Sequence, residues 1–126
     1  MKGNIEVGFK VPNVTFNTRV LDTDSDADNP YVWQPVTVDS MFKEKRVVLF
    51  SLPGAFTPTC STYQLPQFEE MYNQFREVGI DEIYCVSVND SFVMNKWSKW
   101  LDVKNVKMIP DGSGVLTLAM NMLVSK

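Results

Sequence analysis

The sequence predicts a single α/β domain built on a parallel sheet. Two nearly continuous apolar runs, RVVLFSL (46–52) and EIYCVSV (82–88), read as strands covered on both faces. Stretches with a helical apolar period separate and follow them, and strands that alternate with helices need crossover connections, hence a parallel sheet. A length of 126 residues supplies one core and is too short for two, so one domain is expected over 1–126.

The elements follow in order. NVTFNTRVLD (13–22) and YVWQPVTVD (31–39) are rich in β-branched and aromatic residues and read as a strand pair. Between them Asp22, Asp24, Asp26 and Asp28 alternate with small polar residues, but the glycine and distal glutamate of a calcium loop are missing, so a solvated loop is expected. RVVLFSL should be a central strand. From Ser61 to Val78, Leu65, Phe68, Met71, Tyr72 and Phe75 recur at helical steps, predicting an amphipathic helix that ends near Gly79 and is kinked at Pro66. EIYCVSV is the next buried strand. NDSF (89–92) then caps a helix over VMNKWSKWL, with Trp97 and Trp100 on one face as core or subunit contacts. NVKMIP (105–110) reads as a short strand. After DGSG, the residues Val115, Leu118, Ala119, Met122 and Leu123 mark the inner face of a last helix. Repeats and low-complexity segments are absent.

Composition narrows the chemistry. Hydrophobic residues make up 44% and charged residues 21%, a globular balance. No apolar run reaches the roughly 18 to 20 residues of a membrane helix, and the N-terminal stretch lacks a signal-peptide core, so a cytoplasmic location is expected. The net charge of −3 comes without a basic stripe, which argues against nucleic acid as a partner. There is no histidine, and this excludes a Ser-His-Asp triad, a Cys-His pair and most zinc sites. Two cysteines cannot build a four-thiolate centre, so neither metal nor cofactor is expected. Any chemistry centres on a thiol.

Cys60 stands where such a thiol would be most reactive. It follows the carboxyl end of RVVLFSL, where ligands gather in parallel sheets, and it opens the next helix. The unpaired N–H groups of a helix's first turn, and its dipole, stabilise a thiolate. Thr57 lies three residues earlier, so its hydroxyl can reach the sulfur. Pro53 and Pro58 stiffen the connection without adding donors, and Gly54 permits a sharp departure from the strand. An isolated cysteine would more often be a small core residue, but this setting favours reactivity. T-x-x-C also occupies the place where thioredoxin-like oxidoreductases carry C-x-x-C, and the threonine excludes dithiol exchange within the motif.

PGAFTPTCSTYQLPQF, with RVVLFSLPGAFTPTC upstream, GIDEIYCVSVNDSFVMNKW downstream, and MFKEKRVV and MIPDGSG further out, resembles the type II, or peroxiredoxin-5-like, peroxiredoxins over essentially the whole chain. The resemblance implies a thioredoxin-like fold and a thiol peroxidase acting on hydrogen peroxide and alkyl hydroperoxides. By the P-x-x-x-T-x-x-C motif, Cys60 corresponds to the peroxidatic cysteine, oxidised to a sulfenic acid. Thr57 would hydrogen-bond sulfur and peroxide, and Pro53 would shield the sulfenate. Cys85 stands where many members also have a cysteine; a buried inert thiol is the preferred reading over a resolving cysteine, because an apolar strand disfavours a thiolate. Glutaredoxin with glutathione, or thioredoxin, is the implied reductant, and a homodimer the implied assembly.

Three departures stand out. Gln64 replaces a histidine frequent in the family and cannot be cationic. Asn121 stands where relatives often have glycine. The family continues past the last helix into two further strands and a helix, the catalytic arginine lies in that continuation, and none of Arg19, Arg46 and Arg76 matches its motif position. RVVLFSL would then have an open edge, and residues 1–126 are expected to be aggregation-prone or oligomeric and to react slowly with peroxide. Beside the peroxidase stand two other readings: a redox-sensing or interaction module that keeps the fold without the arginine, and a glutathione-linked thiol transferase.

Overall fold

A computed structural model describes residues 7–21, 31–52, 55–56, 64–120 and 122. The β-branched N-terminal segments form a hairpin as predicted: β1 (Thr15–Leu21) pairs antiparallel with β2 (Tyr31–Thr37), Thr15 opposite Thr37 and Leu21 opposite Tyr31. The aspartate segment 22–30 lies outside the described residues.

The second strand does not run on to Asp39. A short helix, α1 (Val38–Phe42), begins after Thr37 through reciprocal caps: the Ser40 amide donates to Thr37 Oγ1 at 3.1 Å and the Thr37 amide to Ser40 Oγ at 3.2 Å. These bonds satisfy donors that a strand end would leave open, and Val38 turns into the core.

The strands β3 (Val47–Ser51), β4 (Glu82–Ser87) and β5 (Lys107–Pro110) form a parallel sheet in the order β3-β4-β5. The registers place Val47 beside Glu82, Ser51 beside Val86, and Cys85 between Phe50 and Met108. Here the expected central place of RVVLFSL is corrected. Among the described residues β4 is the central strand, buried from Ile83 to Ser87, while β3 pairs on one side only and is half-buried over 47–50. Apolar residues at every position report that both faces are covered; they do not report that both edges are paired.

The helix expected over 61–78 is two helices, α2 (Leu65–Glu70) and α3 (Tyr72–Glu77), with 61–63 outside the described residues. The interruption falls at Met71 (φ −90°, ψ 4°) and not at Pro66, which sits in the first turn of α2 where no N–H is required. Gly79 ends α3 as predicted. At φ 95° it donates to the Arg76 carbonyl at 3.1 Å, and Ile80 donates to the Phe75 carbonyl at 3.0 Å, the paired bonds of a Schellman cap. Asp90 caps α4 (Ser91–Trp100), accepting from the Val93 amide at 2.8 Å. Trp97 is fully buried, whereas Trp100, one turn on, is 64% exposed and meets the Phe56 ring.

In α5 (Val115–Ala119) the inner face is not the predicted one. Leu116 is buried while Val115 and Leu118 face outward. Asp111 decides the rotation: Oδ1 accepts from the Leu116 amide at 3.0 Å, and Oδ2 from the Thr117 amide and hydroxyl at 2.8 and 2.7 Å. Two apolar clusters fill the two faces of the sheet and divide β4 by alternation. Ile83 and Cys85 pack with Leu52, Leu65, Met94 and Trp97; Tyr84 and Val86 pack with Phe16, Val38, Ile109 and Leu116.

Candidate active site

The carboxyl ends of the three parallel strands meet at one network. The Leu52 amide, just past β3, donates to the Val86 carbonyl at 3.2 Å, and the Leu52 carbonyl lies 3.2 Å from the buried Ser87 hydroxyl. That hydroxyl also lies 2.8 Å from Asn89 Oδ1, so its single proton is shared between two acceptors. Asn89 Oδ1 in turn accepts from the Ala55 amide at 3.0 Å. From β5, the Asp111 amide donates to the Ser87 carbonyl at 3.0 Å. The ends of β3, β4 and β5 are thereby tied around Ser87 and Asn89.

The segment joining β3 to α2 springs from this network. Pro53, Gly54, Thr57, Pro58 and Cys60 lie outside the described residues; its described parts are the stems at Leu52 and Gln64–Leu65 and the pair Ala55–Phe56. Phe56 adopts φ 61°, a left-handed conformation uncommon for a bulky residue, and its ring packs on Trp100 at 5.4 Å between centroids. Downstream, Leu65 is fully buried and Gln64 is exposed ahead of α2, without a side-chain capping bond. Cys85 is fully buried on β4 in the cluster that contains Leu52 and Leu65.

Two arginines sit at the opposite end of the sheet. The Arg46 amide, before β3, donates to Asp81 Oδ2 at 2.8 Å. Arg76 donates to the Tyr72 hydroxyl at 3.3 Å and to the Asp81 carbonyl at 3.4 Å, at the start of β4. A five-residue strand separates this end from Leu52 by about 17 Å, so neither guanidinium belongs to the Leu52 end. Arg19 lies in β1, opposite Trp33. Among the described residues no group of three or more acidic or thiol side chains is placed to hold a metal ion, and no helix is long and apolar enough to cross a membrane.

Sequence reasoning passed over Ser87, Asn89 and Asp111 as site-building residues. The signal available was a polar SVND directly after a buried strand, with DGSG after the next, both at carboxyl ends of parallel strands.

A family model described as Redoxin matches residues 6–126. A peroxiredoxin of Rhizobium etli is 61% identical over 117 residues, covering 93% of this chain and 65% of that protein. The hybrid peroxiredoxin hyPrx5 of Haemophilus influenzae is 48% identical over 119 residues, covering 94% of this chain and 46% of that protein. The chain thus spans less than two thirds of the length of these curated relatives. Among solved structures, the Plasmodium falciparum antioxidant protein, a 1-Cys peroxiredoxin, superposes with a TM-score of 0.82 at 42% identity, covering 92% of this chain and 67% of that one. The strand order, the thioredoxin-like fold and these similarities agree, and the chain belongs to the redoxin family as a type II, peroxiredoxin-5-like peroxiredoxin.

Proposed function

We propose that this protein is a thiol-dependent peroxidase in which Cys60 reduces hydrogen peroxide and small alkyl hydroperoxides. The observation that carries this reading is the complete P-x-x-x-T-x-x-C motif, Pro53, Thr57 and Cys60, in a chain of the peroxiredoxin family. The Cys60 thiolate attacks one peroxide oxygen, the O–O bond breaks, and the departing oxygen takes a proton to leave as water or alcohol. Sulfur is oxidised to the sulfenic acid. Thr57 orients sulfur and peroxide by hydrogen bonding, Pro53 screens the sulfenate, and first-turn amides stabilise the charge that develops on oxygen. A reductant thiol then attacks the sulfenic sulfur, releasing water and forming a mixed disulfide, and a second thiol returns Cys60 to the thiol.

Glutaredoxin with glutathione, or thioredoxin, supplies those thiols in this reading, in the cytoplasm and on a homodimer. Cys85 does not resolve the sulfenate in this reading, since it is fully buried on β4 within an apolar cluster that disfavours a thiolate. The 1-Cys Plasmodium relative supports that arrangement. The test is stopped-flow oxidation by hydrogen peroxide with dimedone trapping. Wild type is expected to react faster than free cysteine, though slowly for a peroxiredoxin because none of Arg19, Arg46 and Arg76 stands at the family's arginine position, and to carry the dimedone adduct on Cys60. Cys60→Ser is expected to lose both and Cys85→Ala to keep both. Oxidation no faster than that of free cysteine would overturn the proposal.

A further inference from the structure

We propose that Asn89 is a positioning residue for the segment bearing Thr57 and Cys60, its side-chain carbonyl fixing the backbone at Ala55; this rests on the peroxidase reading above. The Ala55 amide is a donor, and so is the Ser87 hydroxyl. Both face the same Asn89 atom, which identifies that atom as the carbonyl oxygen rather than the amide nitrogen. Thr57 is two residues from the bonded amide, and the residue between them is the left-handed Phe56. A bulky residue holds that conformation only where its surroundings over-determine it. Here they do so from two sides, the Asn89 bond at Ala55 and the Trp100 ring against Phe56.

Asn89 is itself held rigidly. Its amide donates to the Ser87 carbonyl at 2.8 Å, and the Asp111 amide donates to the same carbonyl at 3.0 Å. The backbone of Asp90 packs against Gly112 so closely that a Cβ there would come within 3.3 Å of the Asp90 Cα. The turn after β4 is therefore pinned against the turn after β5, and it presents one acceptor to the segment leaving β3. That acceptor sets where the backbone stands at Ala55, two residues before Thr57 in the motif.

The test compares the rate constants of Cys60 with hydrogen peroxide and with iodoacetamide at one pH in the wild type, Asn89→Leu and Asn89→Asp. Both reactions need the thiolate, so their ratio cancels changes in ionisation and reports geometry specific to peroxide. Asn89→Leu, which lacks the acceptor, is expected to lower the ratio by about tenfold or more, with alkylation itself within about twofold of wild type. Asn89→Asp, which keeps an oxygen in place, is expected to restore the ratio to within about threefold. An unchanged ratio in Asn89→Leu overturns the proposal. So does a fall that occurs in both variants with alkylation rising to the rate of the urea-unfolded chain, which marks general loosening. A wild-type ratio no higher than that of free cysteine removes the peroxidase reading itself, and the positioning role falls with it.

Discussion

Glu69, in α2, does its work through donors at Asn105 and Val106, ahead of β5. Oε1 accepts from the Asn105 and Val106 amides at 3.0 and 2.9 Å, and Oε2 accepts from Asn105 Nδ2 at 2.9 Å. Burial pushes its carboxyl pKa up, but the Val106 and Asn105 hydrogen bonds, with a further one from the Lys104 amide, outweigh burial and hold it below the ordinary value. A depressed carboxylate contributes stability that is complete above the unfolded pKa, about 4.3, and is lost as pH falls through the lower folded value. Glu69→Gln is expected to cost about 1 kcal/mol at neutral pH, a modest figure because the group is partly exposed and screened by solvent. It should also flatten the loss of stability on acidification below the ordinary carboxylate range; denaturant titrations of both proteins from neutral to acid pH check this. An acid limb identical to wild type would count against the assignment. None of this was legible in the sequence, because Glu69 reads as a solvent-facing helix residue and its partners lie 36 and 37 positions away.

At the scale of elements, period and punctuation told most of the story where helices end on backbone chemistry. Gly79 was legible as a terminator because the paired cap bonds of α3 require a residue that tolerates φ 95°. A Cβ there would meet only Arg46 Nη1, at 3.9 Å, so the cost of Gly79→Ala is conformational rather than steric. It is expected to be about 1 kcal/mol, read as a lowered denaturation midpoint with an unchanged slope. A variant as stable as wild type would contradict the cap. Periodicity did less well where a side chain overrode it. In α5 the Asp111 carboxylate selects the rotation and turns Leu116 inward, although the apolar period runs through Val115 and Leu118. In α4 the period places Trp97 and Trp100 one turn apart, yet only Trp97 reaches the core. The short α1 escaped because five residues carry less than two helical turns; its Thr37 and Ser40 caps were the sign to read.

On the scale of the whole molecule the two sheet edges differ. β5 is four residues long, begins with Lys107 and ends at Pro110, and short edges with lysine and proline resist pairing. β3 is five residues, VVLFS, without lysine or proline, and among the described residues its outer side carries no paired strand. Residues 1–126 are accordingly expected to self-associate at micromolar concentrations, with light scattering coupled to size exclusion giving masses that rise with loading. A monomer at every loading would show that this edge is covered. By itself the sequence determined the α/β class, the alternation of strands and helices, the family and the thiol motif, since each rests on local spacing and residue type. Only the tertiary structure decided that among the described residues β4 and not β3 is central, that Leu116 is the inner residue of α5, and that Ser87, Asn89 and Asp111 tie the strand ends to Leu52 and Ala55. Those outcomes depend on which distant donors and acceptors meet after the chain folds, and local patterns of polarity do not encode that pairing.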